Sequence, residues 1–451
     1  MARKLERTGN QECSSHENEK SVTANPSDCG KSLYSRRSYI TLGASVAAVL
    51  PGATVATAQS SSVRRDGIEF RDVQNAVEDL GMDPSGRRPI DEALAGAGNG
   101  VLIQFPDGRY RFDGGLGGVE LEGETCGFEG VGENVAFVVP EGYRGFSLNC
   151  EQMDGVYVDG IDIDQTAPDA YTGMRLCGNR VVVRDVELRG SCDVLTGGCP
   201  VFSHATPSAG GTSRFENVVA RADSPVRPML GRPGIFVERS HSGSVRIQGC
   251  DFRHFPDAAV YAAKHPGNVA VLDSYFENNA ASIRLCGDGS SIERCDVVVD
   301  DTPASLSSDG VGQQGVGQQF LFHGISVTQA SEKGTARVNP APVTITDTTM
   351  RIENESIAGP ALVVPSSGTP LEVVDCTIEY NNEGSAVILC RQPGTHAGSP
   401  IRPLRVRGTT ISGNGLVDAA VVLGDIEESE LRDTSILLPG ATDDIHHLKS
   451  D

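Results

Sequence analysis

Apolar and polar residues alternate along most of the chain in short runs, and the runs come in copies. The clearest copy is 259–276, AVYAAKHPGNVAVLDSYF. Val260 and Ala262 alternate, a polar turn carries Lys264, His265, Pro266 and Gly267, and Val269 and Val271 alternate again. The unit closes on a corner at Asp273-Ser274 and a last apolar residue, Phe276. A two-stranded unit alone is marginal in water, so its apolar face has to be buried by further copies. Taking the apolar residue after each corner as the reference point, those copies fall at Ile163, Leu188, Ala220, Phe252, Phe276, Val297, Met350, Ile378, Ile411 and Ile436. Spacings run from 21 to 33, apart from 53 between Val297 and Met350. Period-two runs in copies of variable length predict a solenoid of stacked strands, with length differences absorbed at the corners. A β-sandwich would instead favour antiparallel hairpins with two-residue turns. About eleven coils at ~4.8 Å strand spacing make a cylinder roughly 50 Å long.

Two stretches interrupt the rhythm and read as long loops: the Gly- and Pro-containing 191–211, and 301–319 with its duplicated Gly-Val-Gly-Gln-Gln. Ahead of the repeats, a turn at Asp83-Pro84-Ser85-Gly86 leads into a short helical pattern with Ile90, Ala93, Leu94 and Ala97 on one side. A strand follows from Val101 to Phe105, and Pro106-Asp107-Gly108 turns the chain into Tyr110 and Phe112. A small amphipathic helix is what the first rung of such an array needs, to cover apolar side chains and unpaired backbone. The residues Asp79, Gly81, Asp83, Gly86, Phe105, Pro106, Gly108 and Tyr110 resemble the opening of the pectin-lyase-like superfamily. There a D-x-G-x-D-x-x-G stretch, an Ala-rich helix and an F-P-x-G-x-Y strand start a right-handed parallel β-helix. The resemblance covers about thirty residues and implies the fold: all-β, right-handed, with an N-terminal capping helix. The expected organisation is a signal region over 1–58, an exposed leader over 59–78, the β-helix over 79–440 and a polar tail over 441–451.

The signal region is read from Ser35-Arg36-Arg37-Ser38-Tyr39-Ile40, a twin-arginine pattern. An apolar run to Val55 and a small-residue site at Ala56-Thr57-Ala58 follow. The run is too short, and too interrupted by Gly43, Pro51 and Gly52, for a permanent span. The expectation is a protein exported by the twin-arginine route to the cell surface or beyond. Seven of the 38 Lys/Arg and five of the 60 Asp/Glu lie in 1–58, which leaves 31 basic and 55 acidic residues. Only Lys264, Lys333 and Lys449 are lysines in that remainder. Such self-repulsion argues against nucleic acid or an anionic membrane as partner. It resembles the composition of proteins from extreme halophiles, where salt screens the repulsion.

Ten cysteines follow the signal, without a C-x-x-C pair to suggest zinc. Cys250, Cys295 and Cys376 occupy the corner position where Ser274, Thr348, Thr409 and Thr434 stand in sister copies, so they read as small corner residues. Cys192 and Cys199 are the local pair placed best for a bridge. Gly-rich pieces such as Gly130-Val131-Gly132 lack the strand–loop–helix context of phosphate binding, and no cofactor motif is present.

Chemistry is harder to place. The resemblance brings expectations of polysaccharide lyase or glycoside hydrolase activity in an outer groove. However, the N-x-D, Asp-Asp and G-H-G constellation of polygalacturonase-like members does not stand here in order, nor does a Ca²⁺-binding pectate-lyase-like set. Geometry offers more, because residues between inward-pointing ones face outward and stack from coil to coil. Phe236, Tyr261 and Arg284 are those middle residues on three successive coils. Near them in sequence lie Arg232, Arg239, His241, Arg253, His254, Asp257, Lys264 and His265, a concentration of cations on a chain poor in them. Aromatic faces suit sugar rings, and arginines suit uronate or sulfate groups. Lys264 or His265, beside a neutralising Arg284, is the expected base for removing a proton alpha to a uronate carboxyl, with Asp257 adjacent. The plain alternative is an exposed ladder whose cations pair with the acidic surface.

Asp162 and Asp164, outward around Ile163, with Glu187 on the next coil, form a second cluster suited to Ca²⁺ or to acid/base work. Arg189 is placed to neutralise one of them, and the plain reading is a hydrated surface. Asp443, Asp444, His446 and His447 read as part of the loose tail. Function is therefore expected to be recognition or processing of an acidic polysaccharide. The alternative is a non-catalytic scaffold or adhesion-type β-helix at the cell envelope.

Overall fold

In the computed structural model, the residues described are 62–114, 118–191, 199–222, 232–263, 265–287, 289–301, 323–327, 341–353, 359–365, 369–390, 403–423 and 429–447. They belong to the compact unit Gln59–Asp451; the signal region lies outside the described residues, as do Lys264, Cys192 and both Gly-Val-Gly-Gln-Gln copies.

Each coil contributes three strands to three stacks. One coil shows the plan: Ile235–Val237, then Ser244–Gln248, then Asp251–Arg253, before the chain enters Ala258–Ala262 one rung along. We call the stacks containing Ser244–Gln248, Asp251–Arg253 and Ile235–Val237 sheets 1, 2 and 3. Among the described residues, sheet 2 is a single parallel sheet of twelve strands, running from Gly108–Arg111 to Ser435–Leu437. The chain is a right-handed parallel β-helix of about eleven turns.

The reference residues do form one ladder. Ile163 pairs with Leu188, Leu188 with Ala220, Ala220 with Phe252, Phe252 with Phe276, and Phe276 with Val297. Val297 then pairs with Met350, and the line continues through Ile378 and Ile411 to Ile436. From Ile163 to Ile411 these side chains are almost wholly buried, and Phe252 and Phe276 stack with ring centres 6.1 Å apart. The 53-residue gap between Val297 and Met350 is thus crossed without loss of register.

The corner between sheets 1 and 2 explains its own sequence. The residue turning it sits at positive φ: Asp273 at 49°, Arg294 at 51°, Asp347 at 49°, Asp375 at 52°, with Gly249 and Gly408 at the same place in other coils. Asp tolerates this left-handed region better than most side chains, and Gly best. The next residue must be small and must satisfy backbone groups that the corner leaves unpaired. Ser274 Oγ donates to the Leu272 carbonyl and accepts from the Cys250 amide; Thr348 and Thr409 do the same for Cys295 and Cys376. Cys250, Cys295 and Cys376 donate their S–H to corner carbonyls, as expected of hydroxyl stand-ins.

The helix Asp91–Gly96 buries Leu94, with Ile90 just before it, beneath the first rungs. Phe105, Tyr110, Phe112 and Phe137 pack edge to face beside it. Three segments differ from expectation. Within 191–211, read as a loop, Phe202–Ala205 is a strand of sheet 3 paired in parallel with Ile235–Val237. Residues 62–78 are not an exposed leader: Val63–Arg65 and Ile68–Phe70 form an antiparallel hairpin, and Asp72–Asn75 starts sheet 1. Ile68 and Phe70 pack on the outer face of that sheet against Leu102, Tyr157 and Val182. Those outward positions are apolar to receive the hairpin. Nor is 441–447 a loose tail, for Ala441–His447 is the last strand of sheet 3, paired in parallel with Leu416–Leu423 and exposed. Among the described residues no helix is long and apolar enough to cross a membrane.

Candidate functional site

The outer face of sheet 3 carries the ladder expected from the alternation. Phe236 pairs with Tyr261 and Tyr261 with Arg284, while Ile235, Val260 and Ile283 beside them point into the core. The Phe236 and Tyr261 rings lie 5.4 Å apart, tilted by 56°, and the Arg284 guanidinium lies over the Tyr261 ring at 4.4 Å. All three are partly exposed. Arg284 Nη1 is 3.6 Å from Asp257 Oδ1, outside hydrogen-bond range. Asp257 enters from the turn before Ala258–Ala262 and is mostly covered, with 14% of its side chain exposed. Burial pushes its carboxyl above the usual range, an effect that the Arg284 charge only partly offsets.

The ladder extends in the other direction through residues that sequence reasoning did not single out. Phe236 pairs with Ser203, and Ser203 with Arg175. Arg175 Nε and Nη2 donate to the two oxygens of Glu238 at 2.8 and 3.1 Å, and Nη1 donates to Glu151. Ser203 Oγ donates to Glu238 at 2.7 Å. Burial alone would raise the Glu238 carboxyl, but the hydrogen bonds from Arg175 and Ser203 hold it below its ordinary value. The signal for these residues was present, since Arg175 is the middle residue between inward Met174 and Leu176. The two arginines of the face thus differ: Arg175 is clamped by two carboxylates, whereas Arg284 has one loose carboxylate partner among the described residues.

Other expected members of the site lie elsewhere. Arg253 and His254 belong to sheet 2 and its following turn: Arg253 pairs with Asp251 and Glu277 over the Tyr275 ring, and His254 Nε2 is 3.7 Å from Glu277. Arg239 is exposed in the turn after Phe236. Arg232, His241 and His265 are fully buried, so an outer ligand cannot reach them. Arg232 donates to Gln165 Oε1 at 2.8 Å and to the Thr172 carbonyl, both neutral acceptors. Lys264 is outside the described residues, and buried His265 cannot serve as a base on the outer face.

The two histidines join a third inside the coil. His204 occupies an inward position of sheet 3, in register with Leu176 and Val237. Its ring lies 5.9 Å from that of His241, which lies 5.0 Å from that of His265. The Thr206 amide donates to His241 Nδ1, so the proton of that ring is on Nε2, directed at the Asn268 carbonyl. His204 Nδ1 donates to the Leu176 carbonyl, which leaves Nε2 to accept from Thr206 Oγ1. Burial, reinforced by the other rings, pushes His204 and His265 down to about 3, and burial lowers His241. These are neutral interior rings.

The second cluster is also committed internally. Asp162 pairs with Arg189 at 2.5 Å and accepts from the Glu187 amide; Asp164 pairs with Arg109 at 2.9 Å and accepts from Thr166. Both aspartates are buried. Oxygens already held by two guanidinium groups do not fit a Ca²⁺ site, and no group of three or more potential ligands occurs among the described residues.

No protein-family model and no curated protein matches the chain. Solved structures do. The surface adhesin PfbA of Streptococcus pneumoniae aligns over 83% of this chain and 93% of its own, at 14% identity and a TM-score of 0.48. The catalytic domain of a GH87 α-1,3-glucanase in complex with nigerose aligns over 86% and 69%, at 12% identity and 0.44. A family 28 exopolygalacturonase of Yersinia enterocolitica aligns over 84% and 78%, at 12% identity and 0.34. They are parallel β-helix proteins of the pectin-lyase-like fold. The likeness concerns architecture only.

Proposed function

We propose that the protein is an exported polysaccharide-binding β-helix, active in high salt, whose outer sheet 3 face holds an acidic glycan. The observation that carries this is the stacking of Phe236, Tyr261 and Arg284 on three consecutive rungs. Two aromatic faces offer surfaces for sugar rings. Arg284, whose carboxylate partner among the described residues is Asp257 at 3.6 Å, offers a planar donor for a uronate or sulfate group. Arg175, Glu238 and Ser203 lock the neighbouring rung and bound the face on one side. The reading is of binding rather than turnover, because His241 and His265 are interior and Asp257 is mostly covered.

The test is a panel of uronate-containing, sulfated and neutral glycans in high salt, with binding followed by calorimetry and cleavage by the ultraviolet absorbance of unsaturated uronates and by reducing ends. The expected result is binding of the charged glycans without product, abolished in Arg284→Ala. Product formation would make the face an active site of the lyase or hydrolase class. Failure of the wild type to bind any glycan would overturn the proposal and leave an envelope scaffold.

A further inference from the structure

Cys126 and Cys150 point into the core from adjacent rungs near the capped end of the coil. Cys126 stands in the sheet 1 ladder between Val101 and Val156, and Cys150 in the sheet 3 ladder between Leu121 and Leu176. Both are buried, and their Sγ atoms are 3.6 Å apart, the contact distance of two thiols. Cys250, Cys295 and Cys376 are built differently: each donates to backbone carbonyls of its own corner and of the preceding rung, and Ser274 or Thr348 stands between them. The thiols of Cys126 and Cys150 contact each other instead.

We propose that Cys126 and Cys150 form a disulfide that staples two successive coils through the core. Closing it brings the sulfurs from contact to about 2 Å. Each thiol loses its hydrogen, and the two electrons and two protons pass to a disulfide-class oxidant such as glutathione disulfide, which leaves as two thiols. The reacting species is a thiolate, and the interior disfavours it: the neighbouring Cys126 thiol and burial both push Cys150 well above its ordinary value. Exchange is therefore expected while the first coils assemble rather than in the finished core. Once closed, the bond is shielded from reductants by the same burial. A repeat array frays from its ends, and this link ties the rungs next to the capping helix Asp91–Gly96 to those that follow.

The experiment folds the full chain with mixed reduced and oxidised glutathione in high salt, unfolds it in guanidinium near neutral pH with excess N-ethylmaleimide to cap free thiols, and maps peptides by mass spectrometry. The expected product is a joined Cys126–Cys150 peptide lacking two hydrogens, with Cys250, Cys295 and Cys376 alkylated. Dithiothreitol should leave the link intact in the native protein and break it after denaturation. Full alkylation of Cys126 and Cys150 after oxidative folding would overturn the proposal, as would either sulfur joined to a different cysteine. Cys376→Ser should retain the link, whereas in Cys126→Ala the thermal midpoint should no longer differ between oxidised and reduced protein. The wild-type map decides the matter even if Cys126→Ala does not fold.

Discussion

Arg284 reaches over Tyr261 and holds its guanidinium carbon 4.4 Å from the ring centre, one rung along the coil. The ring positions the cation, and the cation leaves only part of the ring free. Tyr261 therefore supports a charged ligand in two ways, by stacking and by holding Arg284. Each is worth about 1 kcal/mol. Tyr261→Ala should weaken binding of a sulfated glycan by ten- to thirtyfold, roughly 1.4–2 kcal/mol. Tyr261→Phe keeps the ring and should stay within about twofold, well inside 1 kcal/mol. Titration calorimetry in high salt separates the two outcomes, and equal loss in both would disprove the stacking role.

Asp257 gives the face a pH dependence. Its carboxyl is raised by burial, so it stays neutral to higher pH than an ordinary aspartate. Neutral Asp257 leaves the Arg284 charge to a ligand, whereas ionised Asp257 competes for it. Affinity for a sulfated glycan, whose own charge does not change in this range, should fall as pH rises through the Asp257 transition. Asp257→Asn should bind at neutral pH as the wild type does in acid, with a flattened profile. An unchanged profile in that variant would assign the dependence to another group.

Much of the fold was legible because the period-two alternation and the corner residues have local causes. The ladder from Ile163 to Ile436, the corner thiols, and the outward set Phe236, Tyr261 and Arg284 all follow from the same alternation. What failed was side-chain direction in turns. His241 and His265 sit in polar turns and read as exposed, yet they fold inward against His204. The clue was His204, a polar residue at a position where the adjacent rungs carry Leu176 and Val237. Arg232 was misread for a related reason: its partners, Gln165 and Thr172, lie 67 and 60 residues away, and no local pattern reports them. The hairpin over Ile68 and Phe70 has the same non-local origin.

The corner rule predicts a graded series at Asp273, which turns the chain at φ 49°. Asp273→Asn retains a side chain that tolerates the left-handed region. It loses the pair with Arg294, which is exposed and screened by solvent. Asp273→Ala loses the same pair and adds about 1–2 kcal/mol of backbone strain. The alanine variant should therefore unfold at the lower denaturant concentration. After the corner residue Arg294 of the next coil, Cys295→Ser should cost under about 1 kcal/mol, since Ser274 fills the equivalent place one rung away with the same donor role. Equal stability of the Asn and Ala variants would contradict the backbone account.

The buried histidines predict acid lability with a defined direction. His204 and His265 titrate near 6.5 when unfolded and are held at about 3 in the native core. As pH falls below 6.5 the unfolded chain takes up protons that the native state refuses. Stability is therefore full above that value and declines until the native rings themselves titrate. The slope is about 1.4 kcal/mol per pH unit for each ring, and His241 adds to it in the same direction. Between 6.5 and about 5 the ordinary carboxylates are still ionised, and Asp257, raised by burial, is common to the wild type and a histidine variant, so the difference between the two reports the ring. His265→Leu is the informative variant, because neither ring nitrogen of His265 has a well-formed hydrogen bond among the described residues. Replacing His204 would instead strand the Leu176 carbonyl and Thr206 hydroxyl. Denaturant titrations across that window should show the His265→Leu slope reduced by about 1.4 kcal/mol per pH unit. A slope equal to that of the wild type would mean that His265 is protonated, and so reached by water, in the native protein.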